Sequence, residues 1–253
     1  MKIASWNVNG LRSAARKDWL KWFKTNRFDI VCLQETKLQP TQIPEPLREI
    51  PGYSAYFNSA QKKGYSGTAV YTKIKPTQVT AKLGLRRFDN EGRFLRLDFD
   101  KFILINLYLP HGGRQKENLD YKLACYKKLF TYLGKIKAKP IVLIGDFNIA
   151  HQEIDLARPK NNKNNIMFTP AERTQIDRLL SLGFADTFRE FHKQGDYYTW
   201  WPYFANARER NLGWRIDYAF SSKKLTPRLS EASIQSQTLG SDHCPIMLNI
   251  KTD

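Results

Sequence analysis

The sequence is poor in cysteine, in histidine and in long apolar runs, and each shortage removes a class of protein. Cys32, Cys125 and Cys244 stand far apart with no CxxC spacing, which excludes a disulfide scaffold and a cysteine zinc site and fits a reducing cytosol. No apolar stretch approaches the ~18 residues that a membrane span needs, and mean hydropathy is −0.54. The opening Met1-Lys2-Ile3-Ala4-Ser5-Trp6-Asn7 lacks the apolar centre of a signal peptide, so a cytoplasmic chain is expected, nucleoid-associated if prokaryotic. GxxxxGKS/T, GxSxG and a strand-following GxGxxG are all missing, which argues against a P-loop nucleotidase, a serine hydrolase and a dinucleotide-binding turn. Acids are outnumbered too: 24 Asp and Glu face 41 Lys and Arg, for a formal charge of +17.

What is present begins with that basic surplus. It divides into +9 over residues 1–100 and +8 over residues 101–253, so it belongs to a folded body and not to a tail. A pI near 9.8 favours a polyanionic partner without naming it. A hydrophobic fraction of 42% with 13% aromatics excludes a disordered chain. No Pro/Gly/Ser-rich linker interrupts residues 1–253, and a single domain is expected.

A short pattern occurs twice. Ile3 to Val8 reads as a strand closed by the turn signal Asn9-Gly10; Ala15, Trp19, Trp22 and Phe23 then keep helical spacing, and Phe28 to Leu33 is a buried-strand run ending at Gln34-Glu35. Later, Leu119, Leu123, Tyr126, Phe130 and Leu133 form a helical stripe before the strand Pro140 to Ile144, which ends at Gly145-Asp146. Gly67–Tyr71, Phe94–Phe99 and Phe102–Leu109 are further strand candidates. Thr169-Pro170-Ala171-Glu172 carries the signature of a capped helix start, with Gly183 as a stop. Two halves mixing strands and helices predict an α/β fold of two sheets packed face to face, with helices outside.

Apolar runs deliver four acids: Glu35, Asp146, Asp217 and Asp242, with Asn7 and Asn148 at equivalent strand ends. Singly, each could cap a turn or pair with a lysine. Together, carboxylates converging on one cleft repel unless a cation neutralises them. Oxygen donors without thiolates or a histidine cluster suit Mg²⁺, with Mn²⁺ as a substitute, over zinc. His243, beside Asp242, could hold a phosphate or move a proton if Asp217 orients it. Tyr108, before Pro110-His111-Gly112-Gly113-Arg114, could simply pack at its strand end or, beside a glycine pair and an arginine, hydrogen-bond a phosphate oxygen. The chemistry left standing is metal-assisted attack on a phosphate ester.

At these residues the chain resembles the exonuclease III / abasic-site (AP) endonuclease family of the endonuclease–exonuclease–phosphatase (DNase I-like) superfamily. The resemblance runs through Trp6-Asn7-Val8-Asn9-Gly10-Leu11-Arg12, Leu33-Gln34-Glu35-Thr36-Lys37, Gly64-Tyr65-Ser66-Gly67, Glu91-Gly92-Arg93, Gly145-Asp146-Phe147-Asn148, Asp186-Thr187-Phe188-Arg189 with Tyr198-Thr199-Trp200-Trp201, Asn211 to Tyr218, and Ser241-Asp242-His243. It implies a four-layer α/β sandwich and a Mg²⁺-dependent endonuclease that cuts 5′ of abasic sites in duplex DNA and leaves 3′-hydroxyl ends. Activity as a 3′→5′ exonuclease and on blocked 3′ ends would accompany it. By the same resemblance, Asn7, Glu35, Asp146, Asn148, Asp242 and His243 surround the metal, and Asp146, placed by Asn148, activates water. His243, oriented by Asp217, holds the phosphate, and Tyr108 supports it. Trp200, Trp214 and Ile216 line a pocket for the bare sugar. His111, Arg114 and Arg215, with Arg208 and Arg210, are the candidates for holding DNA; no protein partner is implied, and a monomer is expected. The chain departs from many members at His111, where they carry Asn, and at Trp200, where they carry Phe. A non-specific nuclease, a phosphatase of the same superfamily and an inactive DNA-binding relative are the alternatives.

Overall fold

The computed structural model describes residues 1–136 and 139–251. The chain opens with β1 (Lys2–Asn7), crosses over through α1 (Leu11–Ala15) and α2 (Trp19–Asn26), and returns as β2 (Ile30–Gln34). After α3 (Glu45–Arg48) come β3 (Ser54–Asn58) and β4 (Thr68–Thr72). The second sheet holds β5 (Gln78–Thr80), then, past α4 (Arg86–Asn90), β6 (Phe94–Asp98) and β7 (Ile103–Tyr108). Crossover α5 (Leu119–Lys135) leads to β8 (Ile141–Asp146), α6 (Pro170–Ser181) to β9 (Phe184–Asp186), and α7 (Thr187–Phe191) precedes β10 (Asp217–Ser222). Finally β11 (Leu229–Ile234) and β12 (Ile246–Ile250) rejoin the first sheet.

The sheet orders are β11-β12-β1-β2-β4-β3 and β5-β6-β7-β8-β10-β9. Each contains one parallel pair, β1 with β2 and β7 with β8, and in both a helical crossover carries the chain back to the starting end of the sheet. The repeated pattern in the sequence is this pair. The halves of the sequence are not the two sheets, however, since β12 from the chain's far end pairs antiparallel with β1. The carboxyl ends of β1, β2, β7 and β8 meet at one rim. Antiparallel β10 starts there, with Asp217 opposite Asp146, and the loop before β12 brings Ser241, Asp242 and His243 beside the end of β1.

Between the sheets lies an apolar layer of Ile3, Ile30, Cys32 and Val70 against Leu95, Leu97, Leu104, Val142 and Ile144. Outer layers seat α1 and α2 through Leu11, Trp19 and Phe23, and α5 and α6 through Tyr126, Leu129, Ile176 and Leu179. The stack is therefore helix, sheet, sheet, helix. Just below the rim the apolar layer gives way to amides. Gln34 Nε2 on β2 donates to Asn106 Oδ1 on β7 at 2.7 Å and to Ser5 Oγ at 2.8 Å. Asn106 Nδ2 donates back to the Leu33 and Ala69 carbonyls. Paired amides tie the two sheets at a fixed register, whereas apolar contact alone is non-directional.

One predicted helix is two. The stripe from Ala15 to Phe23 breaks at Asp18, which takes a left-handed φ of 66°. The kink lets Leu11 and Ala14 from one piece, and Trp19 and Phe23 from the other, face the same sheet. The capped start of α6 forms as the sequence predicts: Thr169 and Glu172 exchange hydrogen bonds across the first turn.

Gly145 precedes Asp146 with φ 138°, and a Cβ there would sit 2.0 Å from the Leu107 carbonyl oxygen on β7. Gly145→Ala is expected to destabilise the fold by about 3 kcal/mol or more, because backbone on a central strand must move. Urea unfolding checks this; a loss below ~1 kcal/mol would show that the strand yields.

Candidate active site

Two carboxylates from different sheets share one amide. Asn7 Nδ2, at the end of β1, donates to Glu35 Oε1 at 3.0 Å and to Asp146 Oδ2 at 2.9 Å. Glu35 follows β2 with a left-handed φ of 52°, and Asn148 follows β8 with a φ of 53°. Non-glycine residues hold that conformation only where surroundings enforce it, and such positions gather at functional sites. Asn148 is held through its N–H to Asp146 Oδ1 at 2.8 Å and its Nδ2 to the Leu109 carbonyl at 2.9 Å.

The site is buried and crowded with charge. Asp146 is 1% exposed and Asp217 2%. Burial, and then the neighbouring Asp217 carboxylate, push the Asp146 pKa well up. His243 Nδ1 donates to Asp217 Oδ2 at 2.8 Å, and its Nε2 stands 4.0 Å from Asp146 Oδ2. Burial opposes the imidazolium, but Asp217, Asp146 and Asp242 outweigh it and raise the His243 pKa to about 10. For Glu35, burial is overcome by the Lys37 ammonium, 3.0 Å from Oε2, and by the Asn7 hydrogen bond, so its pKa falls. Tyr108 ends β7 with the Arg93 guanidinium 4.2 Å from its ring centre. Burial and the Glu35 charge raise its pKa well above the usual value, which keeps the phenol a proton donor.

These donors suit a hard divalent cation. Ligand atoms of Asp146, Asp217 and His243 lie within 4.8 Å of one another, and Asp217 Oδ1 is buried without a hydrogen-bond partner. Uncompensated carboxylate oxygens in a dry cleft are what such an ion neutralises. Asp242 is close by but engaged: Asn9 Nδ2 reaches its Oδ1 at 2.9 Å, and Trp200 Nε1 reaches its Oδ2 at 3.0 Å.

Beside the acids lies an apolar cluster of Ala150, Leu156, Met167, Phe168 and Ile216, with half-buried Trp200 and Trp214 packed on it. Three distant segments build it. Trp200 exchanges backbone hydrogen bonds with Trp214, and Cys244 N–H donates to the Thr199 carbonyl. Thr199 Oγ1 accepts from the N–H groups of Ile216 and Asp217. The aromatic wall and the acid–imidazole pair are thus one hydrogen-bonded unit.

A family model described as the Endonuclease/Exonuclease/phosphatase family matches residues 4–243. This chain belongs to that family. It is 45% identical over 253 residues to the Exodeoxyribonuclease of Bacillus subtilis (strain 168), covering 99% of each chain. It is also 45% identical over 251 residues to Recombination repair protein 1 of Drosophila melanogaster, covering 98% of this chain but only 37% of that protein's length. Among solved structures, the AP endonuclease from Archaeoglobus fulgidus superposes with a TM-score of 0.91 at 32% identity, over all of both chains. The family's DNase I-like four-layer α/β sandwich is the fold seen here.

The structure corrects one expectation for the DNA-facing set. Arg215 is 1% exposed: Nε donates to Asp155 at 2.8 Å and Nη2 to Asp186 at 2.7 Å. A guanidinium between two buried carboxylates fixes the loop that carries Trp214 and Ile216, and it is not free to meet a phosphate. Arg208 also serves its own chain, donating to the Ser236, Thr238 and Ser241 carbonyls. Arg210 donates to the Ala205 carbonyl, while Arg114 and His111 are exposed on the loop after Tyr108. Packing of the ring against the loop and then the Lys122 ammonium lower the His111 pKa, although the residue as a whole is exposed. Asn9, Lys37 and Arg93 were given no role on sequence grounds, although each stands in a quoted motif. Lys122 was missed too; its one signal is a charge on the apolar stripe of α5.

The His243–Asp217 pair predicts how stability depends on pH. A histidine raised from ~6.5 to about 10 stabilises the fold fully below ~6.5 and loses that contribution as pH rises through 10. Metal-free protein should therefore show a falling unfolding free energy from pH ~6.5 to ~10, and Asp217→Asn should flatten the slope. Equal slopes in the two proteins would remove the pair as its cause.

Proposed function

We propose that this chain is a divalent-metal-dependent DNA repair nuclease that hydrolyses the phosphodiester 5′ of an abasic site in duplex DNA and leaves a 3′-hydroxyl. The observation that carries this reading is the junction of the Asn7–Glu35–Asp146 cluster and the Asp217–His243 pair with the aromatic cluster of Trp200, Trp214 and Ile216. The family's nucleases, exodeoxyribonucleases and AP endonucleases among them, place the reaction class; the aromatic cluster supports the lesion. A sugar without a base turns out of the helix at least cost, since nothing is unpaired or unstacked, and an apolar aromatic surface beside the acids suits it. Exonuclease action and removal of 3′-blocking groups use the same in-line attack on a 3′ end.

Each residue has work that its surroundings support. Asp146, whose affinity for a proton is raised, accepts the proton of the attacking water, and the Asn148 and Asn7 contacts hold its two oxygens. His243, kept as imidazolium by Asp217, donates to a non-bridging phosphate oxygen where negative charge grows. Tyr108, neutral at any physiological pH, donates a further hydrogen bond to phosphate. Glu35, with Asn7, Asp146 and Asp242 around it, would hold Mg²⁺ or Mn²⁺, which when bound screens the carboxylates and stabilises the departing 3′-oxygen. The family and the acidic cluster support a metal-dependent enzyme; Mg²⁺ is the choice that oxygen donors favour.

Among the described residues no helix is long and apolar enough to cross a membrane. We place the protein in the cytoplasm, acting as a single-domain monomer over residues 1–253 on duplex DNA. The charge of +17 supports DNA as partner, with exposed Arg114 beside the site.

The deciding assay uses a duplex with one abasic analogue, with Mg²⁺ or with chelator, beside an undamaged duplex and a recessed 3′ end. Incision 5′ of the analogue only with metal is expected, and Asp146→Asn or His243→Ala should cut turnover by ~10²–10⁴ with the fold intact. Near-wild-type incision by either variant would sink the assignment; equal cleavage of undamaged duplex would move it to a non-specific nuclease.

A further inference from the structure

Lys122 is a lysine with no solvent at all. It is 0% exposed on α5, among Tyr126, Leu129 and the other apolar residues of that helix face. An ammonium has three protons to donate, and three acceptors meet it: the Asn148 carbonyl at 2.6 Å, the His111 carbonyl at 3.0 Å and Glu172 Oε1 at 2.5 Å. Glu172, also 0% exposed, is itself saturated. Its Oε1 accepts from the Met167 N–H at 3.0 Å, and its Oε2 accepts from the Thr169 N–H and hydroxyl at 3.0 and 2.7 Å.

The choice of acceptors is what matters. An ion pair that served only to join α5 to α6 would need Glu172 alone. Here two of three bonds go to backbone carbonyls in the loops that follow β7 and β8. The first loop comes just after Tyr108 and carries His111; the second carries Asn148 in its left-handed conformation, φ 53°. Desolvating an ammonium is expensive, and this one spends its hydrogen bonds on the two loops that frame Asp146. Gly112 leaves room for it: a Cβ there would meet Ile166 at 2.8 Å and Lys122 Cδ at 3.3 Å.

We infer that Lys122 is a positioning residue for phosphodiester hydrolysis, clamping the Asn148 and His111 backbones so that the Asn148 N–H keeps its hydrogen bond to Asp146 Oδ1. Glu172 is its counter-charge and fixes the ammonium at the junction of the loops. The inference rests on the catalytic reading of Asp146 given above. Lys122 touches no reacting atom; it acts through the backbone it holds.

The test removes both charges at once, so that neither is left buried and alone. Lys122→Met/Glu172→Gln is expected to melt within a few degrees of wild type while kcat on the abasic duplex falls about 10- to 100-fold and KM stays within about threefold. In an Asp146→Asn background the same pair of changes should cost less than about twofold, because the carboxylate being positioned is already gone. A folded double variant with wild-type kcat would overturn the inference, and so would an undiminished loss in the Asp146→Asn background. Asp146→Asn with wild-type turnover would instead remove the catalytic reading of Asp146, and the clamp's purpose with it. Should the double variant not fold, Lys122→Arg decides. It keeps the charge on a planar fork that cannot address the same three acceptors, so lowered kcat with unchanged KM supports the clamp and wild-type kcat overturns it.

Discussion

One amide group bridges two carboxylates that belong to different sheets, and the site's chemistry follows from that crowding. Asn7 Nδ2 sits between Glu35 and Asp146, and Asp217 stands across the strand pair from Asp146. Like charges so close in a buried rim cannot all be ionised without compensation. Three compensations ease it: burial and Asp217 raise the Asp146 pKa, the surrounding acids raise that of His243, and Lys37 approaches Glu35. A divalent cation is the fourth that the oxygen donors call for. The same crowding sets the proton affinities on which the proposed roles of Asp146 and His243 rest.

The rest of the fold keeps that crowding from relaxing. The Gln34–Asn106 amide pair sets the sheets' register immediately below the acids. The parallel pairs end at one level because each is closed by a helix packed on the outer face. Further out, the Asp155–Arg215–Asp186 network holds the loop of Trp214, and Thr199 joins that loop to Asp217. Breaking one member of such a buried set leaves an uncompensated charge, so the set holds the aromatic cluster beside the acid–imidazole pair. Arg96 with Asp98 and Arg93 with Glu91 also spend charge on the chain itself. Each such pair removes one base with one acid, so the surplus of +17 remains to the rest of the chain.

Much of this was legible along the chain. The doubled helix–strand–acid pattern marked both parallel pairs and placed Glu35 and Asp146 at strand ends, because period and turn chemistry are local properties. The capped start at Thr169 was legible for the same reason. The break at Asp18 was not, since the apolar stripe runs on through it and only packing on the sheet demands a kink. Arg215 looked like a surface cation because a motif names a residue type but not its direction. Lys122 was passed over because a single charge in a stripe has no meaning until its acceptors, dozens of residues away, are known.

By itself the sequence determined the residue chemistry: an acid-and-amide set without thiolates, a basic body, and motifs whose order marks a family of phosphodiester-cleaving enzymes. Tertiary structure alone decided which of those residues meet. Asn7, Glu35, Asp146, Asp217 and His243 lie up to 236 positions apart in the chain. They converge because β12 returns to pair with β1 and β10 runs against β8, both non-local pairings that local propensity cannot encode. Proton affinities followed from that meeting, since a pKa is set by burial and neighbouring charge and not by the residue's name.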